Sequence, residues 1–373
     1  MAEQLQLFYE KDVNPIREKV LEALEIDFQV HKWTLKEAFI SSFKKTCEEI
    51  KKLEETQEFK VGFLMYNLLR TQVMQHQYNY RIYVYDENWY LKDGIYIGEL
   101  DVSFIYKYYE EMWQELLKCS KKYVLKIGVL DVEHIMLEQL QYFHKYVVGL
   151  MQFSLLDALE IEEYIALNKA DVFQIQTGEF FEPCDPIHIE AQEKDSFQLK
   201  KFIEKNEKGA YYFQDFRGLE MDELMCNGSD LRYADFRESQ LNRSSMMCSL
   251  LIGTKFKGCQ MKEANLSVSM ICEANFENAD LSNANFQQAV AFVGKNEANA
   301  WKQVGFTPTS FKNSNLTQAN FQGATLSSVD FTGANLTHTN FQDATLYGSQ
   351  FTRTQLKMCE FSQKQLEQLK IVE

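Results

Sequence analysis

The eight cysteines of this 373-residue chain form no CxxC pair, which removes the usual zinc-ribbon and thiol-exchange chemistries. It has no Gly-rich phosphate loop, no HExxH and no nucleophile elbow. Phosphate-loop, zincin and hydrolase mechanisms therefore have no foothold. No apolar run approaches the length that crosses a bilayer. The first ten residues lack the basic start and apolar core of a secretory signal. A basic surplus is missing as well, since the formal charge is -15, and direct nucleic-acid binding draws on such a surplus. These absences lead us to expect a protein of the reducing cytoplasm that is not an enzyme. We expect no metal, no cofactor, no membrane and no direct nucleic acid.

Scattered chemical candidates are weak. His134 and Glu138 share a helix face at four-residue spacing, but such pairs usually make ordinary bonds or face solvent. Cys184 and His188 lie on a Pro-broken stretch that reads as a structural loop rather than a reactive thiol. The aromatics Tyr78, Tyr80, Tyr83, Tyr85, Trp89, Tyr90 and Tyr96 are dense enough to line a groove. Alternation along a strand nevertheless sends half of them into a core. Trp89 and Tyr90 are kept as candidate partner contacts.

What is present is a period of five. Phe311, Leu316, Phe321, Leu326, Phe331, Leu336, Phe341, Leu346, Phe351, Leu356, Phe361 and Leu366 fall in one phase, which extends upstream to Phe216. Such a period fits neither a helix nor a flat strand. Two residues before each centre a small side chain recurs, as at Ala264, Ala274 and Ala334. Directly before the centre Asn or Asp is common, as at Asn275, Asp280 and Asn335. Short polar side chains of this kind bond nearby backbone and suit corners. Cys226, Cys259 and Cys359 occupy inward repeat positions, where a thiol is a small apolar filler.

Ala274-Asn275-Phe276, Ala279-Asp280-Leu281 and Ala334-Asn335-Leu336 show the unit, and the run resembles the pentapeptide repeat family. The resemblance implies a right-handed, four-sided β-helix with four pentapeptides per coil. Phe311, Phe331 and Phe351 would then stack on one side and Phe321, Phe341 and Phe361 on the opposite side. The phase fails between Phe286 and Phe311 and returns unchanged, so the interruption at 291–310 spans a whole multiple of five and is expected to bulge outward. Its aromatics Phe292, Trp301 and Phe306 are candidate partner contacts, since such residues are favoured at binding hot spots.

The fold class expected is α+β: a mainly helical, acidic domain at 1–181 with a small antiparallel sheet, then a linker at 182–210 with a short helix after Ser196. The pentapeptide β-helix follows at 211–361, closed by a capping helix at 362–373. Residues 1–200 hold 22 Lys and Arg against 35 Asp and Glu, so the acidity belongs to the first part. Within it the sequence predicts a helix opening at Asn14-Pro15, a second one from a Thr34/Glu37 capping box, and a third over Phe59 to Val73. A β-meander is expected from 80 to 96, with a hairpin at 173–181. Asp101 and Asp131 read as caps of later helices.

Three functions fit. The first is a non-enzymatic adaptor that binds protein partners. The second follows from the resemblance: some pentapeptide repeat proteins imitate duplex DNA and bind gyrase or topoisomerase IV, although the later coils lack the rows of acid that mimicry needs. The third is an enzyme whose site lies in the N-terminal domain. The resemblance also admits a homodimer through the C-terminal helix. If the inward phase is right, Phe341→Ala costs roughly 3 to 5 kcal/mol in a denaturant titration, and near-native stability would contradict it.

Overall fold

The computed structural model describes residues 2–123, 126–180, 184–205, 211–292 and 307–373. The chain divides into two units at Ile187/His188. In the first, helix α1, Ala2–Phe8, leads through a π-helical turn into α2, Asn14–Thr56, a single helix of 43 residues. Pro15 explains the turn. Proline has no N–H and its ring crowds a carbonyl one turn back. The widened turn, in which Asn14 N–H donates to the Tyr9 carbonyl, absorbs the defect. The expected restart at Thr34/Glu37 does not occur, because the helix runs straight through it. Ile16, Val20, Leu24, Phe28, Phe39, Phe43 and Ile50 lie buried along α2.

The next elements are β1, Val61–Leu68, a short α3, Arg70–Val73, then β2, Asn79–Tyr85, and β3, Ile95–Asp101. After these come α4, Ser103–Ser120, α5, Val129–Ala158, a short α6, Glu162–Ile165, then β4, Lys169–Glu179, and β5, Asp185–Ala191. The sheet order is β3-β2-β1-β4-β5. β1 is antiparallel to β2 and parallel to β4, so the sheet is mixed and five-stranded, larger than the small antiparallel one expected. The helix expected over Phe59–Val73 is mostly β1. All eight β1 residues are buried, and a strand covered on both faces shows no alternation to mark it. Trp89–Leu91 is one 3-10 turn rather than a strand. The 173–181 hairpin is replaced by the long strand β4, and the expected linker holds β5 and α7, Ser196–Glu204. Asp195 caps α7 by accepting from Phe197 and Gln198 N–H. Asp131 stands three residues inside α5, where its carboxylate accepts from Gly128 N–H at 2.7 Å.

In the second unit, parallel bridges join residues twenty apart: Asp215 to Asp235, Asp235 to Lys255, Lys255 to Asn275. Twenty residues are four pentapeptides, so each layer holds four. Backbone bonds repeat with the layers, for example Phe236 N–H to Lys255 O at 2.8 Å and Leu241 N–H to Gln260 O at 2.7 Å. From Phe216 to Leu346, wherever the pentapeptides are described, the chain turns with a positive φ two residues after the centre, the position that a type II turn requires. The corner carboxamides and carboxylates accept from the N–H two residues on, as Asn275 does from Glu277 at 2.8 Å. Inward hydroxyls bond the layer below, as Ser269 Oγ does to Met246 O at 2.7 Å.

The phenylalanines stack as expected. Phe311 and Phe331 lie 5.2 Å apart and nearly parallel, as do Phe321 and Phe341. Phe311 and Phe321 meet edge to face at 5.5 Å. Leu199, Phe202 and Ile203 of α7 pack against one end of this core. At the other end, β8, Gln350–Thr352, pairs with β9, Lys370–Val372, and α8 covers only Gln363–Leu366. The expected capping helix is therefore one turn followed by a strand, although its Ser362/Gln365 capping box is present. A short strand β6, Val290–Ala291, precedes the interruption and pairs in parallel with β7, Thr325–Leu326, of the next layer.

Across that interruption the register steps from 20 to 35: Asn275 bridges Ser310 and Val290 pairs with Thr325. The layers thus accept 15 extra residues without losing phase. Replacing 293–308 by a single glycine removes a net 15 residues and places glycine at a positive-φ turn position. The β signal in circular dichroism and the melting temperature should stay near native, whereas replacement by two glycines shifts the phase and should unfold the later coils. Equal behaviour of the two replacements would refute the register.

Candidate interaction site

Charge is concentrated on one ladder of the early coils. Asp215, Asp235 and Lys255 occupy the same corner in successive layers, and all three are buried. Arg217 grips Asp215 in bidentate fashion, with Nε to Oδ1 at 2.9 Å and Nη2 to Oδ2 at 2.8 Å, and Lys194 adds a contact at 2.7 Å. Arg237 grips Asp235 in the same way. Burial pushes the Asp215 carboxyl up, but Arg217 and Lys194 outweigh it and hold the group at about 2. His188 Nε2 lies 3.3 Å from Glu190, and burial holds the imidazole below its ordinary value. His188, Glu190 and Asp215 bring donor atoms within 4.8 Å of one another, the geometry of a small metal site. The residues do not fit that role, because the Arg217 guanidinium reaches both carboxylates and Lys194 the second. Their charge is already neutralised by side chains. The signal for this cluster is legible as a repeated Asp-x-Arg at 215–217, 230–232 and 235–237, each an internal bidentate pair, and sequence reasoning missed it.

A second feature faces outward. Leu250, Met270 and Val290 form one bridged ladder over three layers. In the next two layers the ladder continues as Thr325 and Thr345. Beside it lie Met247, Cys248 and Val268, all exposed. Val268 is 50% exposed with φ of 59°. Left-handed backbone is unfavourable for a β-branched residue. Glycine fills the corresponding place at several other turns, including Gly323 and Gly333. Phe292 is half-buried at the edge of this surface, where β6 ends.

Residues 249–289 match the family model for pentapeptide repeats in eight copies, and residues 297–372 match the model of a pentapeptide repeat region. The C-terminal part is a pentapeptide repeat region. Among solved structures, the chain is similar to the pentapeptide repeat protein Rfr23 from the cyanobacterium Cyanothece 51142, at 19% identity and a TM-score of 0.22, covering 32% of this chain and 85% of that one. It is similar to QnrB1, a plasmid-mediated fluoroquinolone resistance protein, at 15% identity and a TM-score of 0.29, covering 45% and 94%. HetL, a pentapeptide repeat protein involved in heterocyst differentiation regulation from Nostoc sp. strain PCC 7120, aligns at 18% identity and a TM-score of 0.18, covering 43% and 84%. No curated protein matches the chain.

The pentapeptide repeat region carries Phe292 at its apolar surface, while Trp301 and Phe306 lie outside the described residues. In the first unit Trp89 stacks on Phe63 at 4.4 Å and covers the sheet face opposite Tyr80, so it belongs to a small core. Tyr90 shares the same 3-10 turn. Cys184 packs on that core, where burial raises its thiol, and His188 is spent on Glu190, so the two form no reactive pair. His134 and Glu138 stand exposed on α5, 3.5 Å apart. His144 faces Tyr80 Oη at 2.7 Å, and burial holds its imidazole below the ordinary value. No helix among the described residues is long and apolar enough to cross a membrane.

The Asp215 carboxylate has a folded value below its unfolded one, so its contribution is fully present above about pH 4 and is lost as pH falls towards 2. Asp215→Asn leaves Arg217 and Lys194 without their carboxylate. The variant should lose on the order of 3 kcal/mol at neutral pH and show a flatter decline of stability between pH 4 and 2. Denaturant titrations at stepped pH check this, and an unchanged acid limb would refute it.

Proposed function

We propose that this chain is a non-enzymatic interaction protein. Its pentapeptide repeat region acts as a four-sided, right-handed scaffold that binds a protein partner through the apolar surface of its early coils. Val268 carries the reading. Its backbone conformation is one that glycine or asparagine adopts at lower cost, yet the side chain points half-exposed into solvent. Folding gains little from it there. The neighbouring Met247, Leu250 and Met270 extend the same surface, and methionine adapts readily to an apolar partner. A contiguous exposed apolar patch on a protein marks an interaction site. Phe292, with Trp301 and Phe306 following in sequence, adds aromatics of the kind that dominate binding energy.

The topoisomerase alternative draws less support. Mimicry of duplex DNA needs rows of negative charge, and the later coils place Lys312, Thr332, Thr317, Thr337 and Gln342 directly after their centres.

Affinity capture with the full chain, set beside Met247→Lys and Val268→Asn, tests the interaction reading. A partner held by the native chain should be lost from both variants by roughly tenfold or more, while Val268→Asn keeps or raises the melting temperature. Partners retained equally by all three proteins would overturn the assignment of this surface. A gyrase supercoiling assay with and without a fluoroquinolone decides the alternative, which gains if inhibition or drug protection persists in Val268→Asn.

A further inference from the structure

The outer ridge of α2 presents a second surface. Ile26, Val30 and Trp33 are 55%, 70% and 59% exposed, and their spacing of four and three sets them on one helix face. The same line reaches Glu22 and Glu18 in steps of four on one side and Glu37, four beyond Trp33, on the other. These three carboxylates are exposed and make no hydrogen bond or ion pair with the described residues. Their neighbours differ: Asp27 holds Lys107 and Tyr108, and Glu25 accepts from Tyr146. Nearby cations are also engaged, Lys19 with Glu115 and Lys36 with Asp157. Trp33 meets Phe153 edge to face at 5.0 Å and holds the Lys36 ammonium 5.3 Å from its ring, yet more than half of the side chain stays exposed.

Helix stability gains nothing from this arrangement. Glu18 and Glu22 repel at four-residue spacing, and three large apolar side chains stand in water. The charges also decide what can cover the ridge. A second copy packed antiparallel about Val30 would bring Glu22 against Glu37, and a parallel copy would set each acid against itself. An anionic lipid surface would be repelled by the same groups. A partner with its own cations is left.

We propose that this ridge docks an amphipathic helix of a partner protein, whose apolar face meets Ile26, Val30 and Trp33 and whose Lys or Arg residues meet Glu22 and Glu37. The fifteen helical steps from Glu22 to Glu37 set the two cationic ends on the order of 22 Å apart. The surplus of acid over base in residues 1–200 adds a long-range attraction that speeds encounter. The inference shares with the interaction reading only that the ligand is protein, and it uses none of the repeat surface.

The probe is a labelled 22-residue helical peptide with a leucine face and lysines at both ends, read by fluorescence anisotropy against the full chain at low salt. Its counterpart has the same face with glutamates at both ends. The basic peptide should bind and the acidic one should not. Glu22→Lys/Glu37→Lys should weaken the basic peptide by at least about tenfold and admit the acidic one, and Val30→Glu should abolish binding of the basic peptide with circular dichroism unchanged. Val268→Asn should bind like the native chain. Equal affinity for both peptides, indifference to the α2 substitutions, or self-association lost in Val30→Glu would each overturn the proposal. Binding lost in Val268→Asn alone would move the site to the repeat region and leave the interaction reading intact.

Discussion

The C-terminal unit depends on backbone hydrogen bonds between layers at a register of twenty residues. Every such bond requires the chain to turn in the same place, four times per layer, with a left-handed residue two positions after each centre. That is a costly conformation for most side chains. It persists because the alternative is a row of buried carbonyls and N–H groups without partners, and because each turn drives an apolar centre into a core of stacked rings. The inward positions accordingly hold one large apolar and one small residue in most pentapeptides, with Leu219, Leu224 and Val329 as larger exceptions at the second position.

The same constraint frees the outer surface. Most side chains directly after the centres take no part in the core, so their chemistry can vary from layer to layer, although Ile252 and Cys272 are buried there. Arg217 and Arg237 use those positions to neutralise corner carboxylates, Thr317 and Thr337 use them to bond their corner Asn, and Met247 leaves its side chain exposed. Arg217, Arg237, Thr317 and Thr337 thus have local partners that explain them. Met247, and Val268 at the left-handed position two residues after its own centre, stand exposed without such a role among the described residues, which is why they carry the functional reading.

How legible each feature was in the sequence follows from what generates it. The repeat could be read because a period of five is written in residues that only the core constrains, and Phe311, Phe321 and Phe331 stack where the phase put them. Strand β1 could not, because burial on both faces erases the alternation that would mark it. The Thr34/Glu37 box misled because the spacing caps a helix only where N–H groups lack partners, and within α2 they have them. The outer ridge at Ile26, Val30 and Trp33 was equally hidden, since an exposed apolar residue reads like a core residue until burial is known. The Asp-x-Arg pairs were visible but unread, as their meaning lies in a corner geometry that the sequence does not state.

The repeat's end was only half legible, and its chemistry shows why. The period runs on through Leu356, Phe361 and Leu366, so nothing in the spacing stops another layer. In the regular coils the residue before each centre donates its backbone N–H to the carbonyl of the residue 21 positions back, as Gln350 does to Val329 at 2.8 Å. At Gln355 and Gln365 the side-chain amide makes that bond instead, to Ala334 at 2.8 Å and Ala344 at 2.9 Å. Each glutamine is fixed from behind by a Thr or Ser three residues earlier, Thr352 and Ser362, whose N–H it accepts. A side chain of the right length thus stands in for the missing backbone on two sides of the last layer. The carbonyls that would otherwise template another strand are satisfied, and the chain leaves the coil without breaking its period.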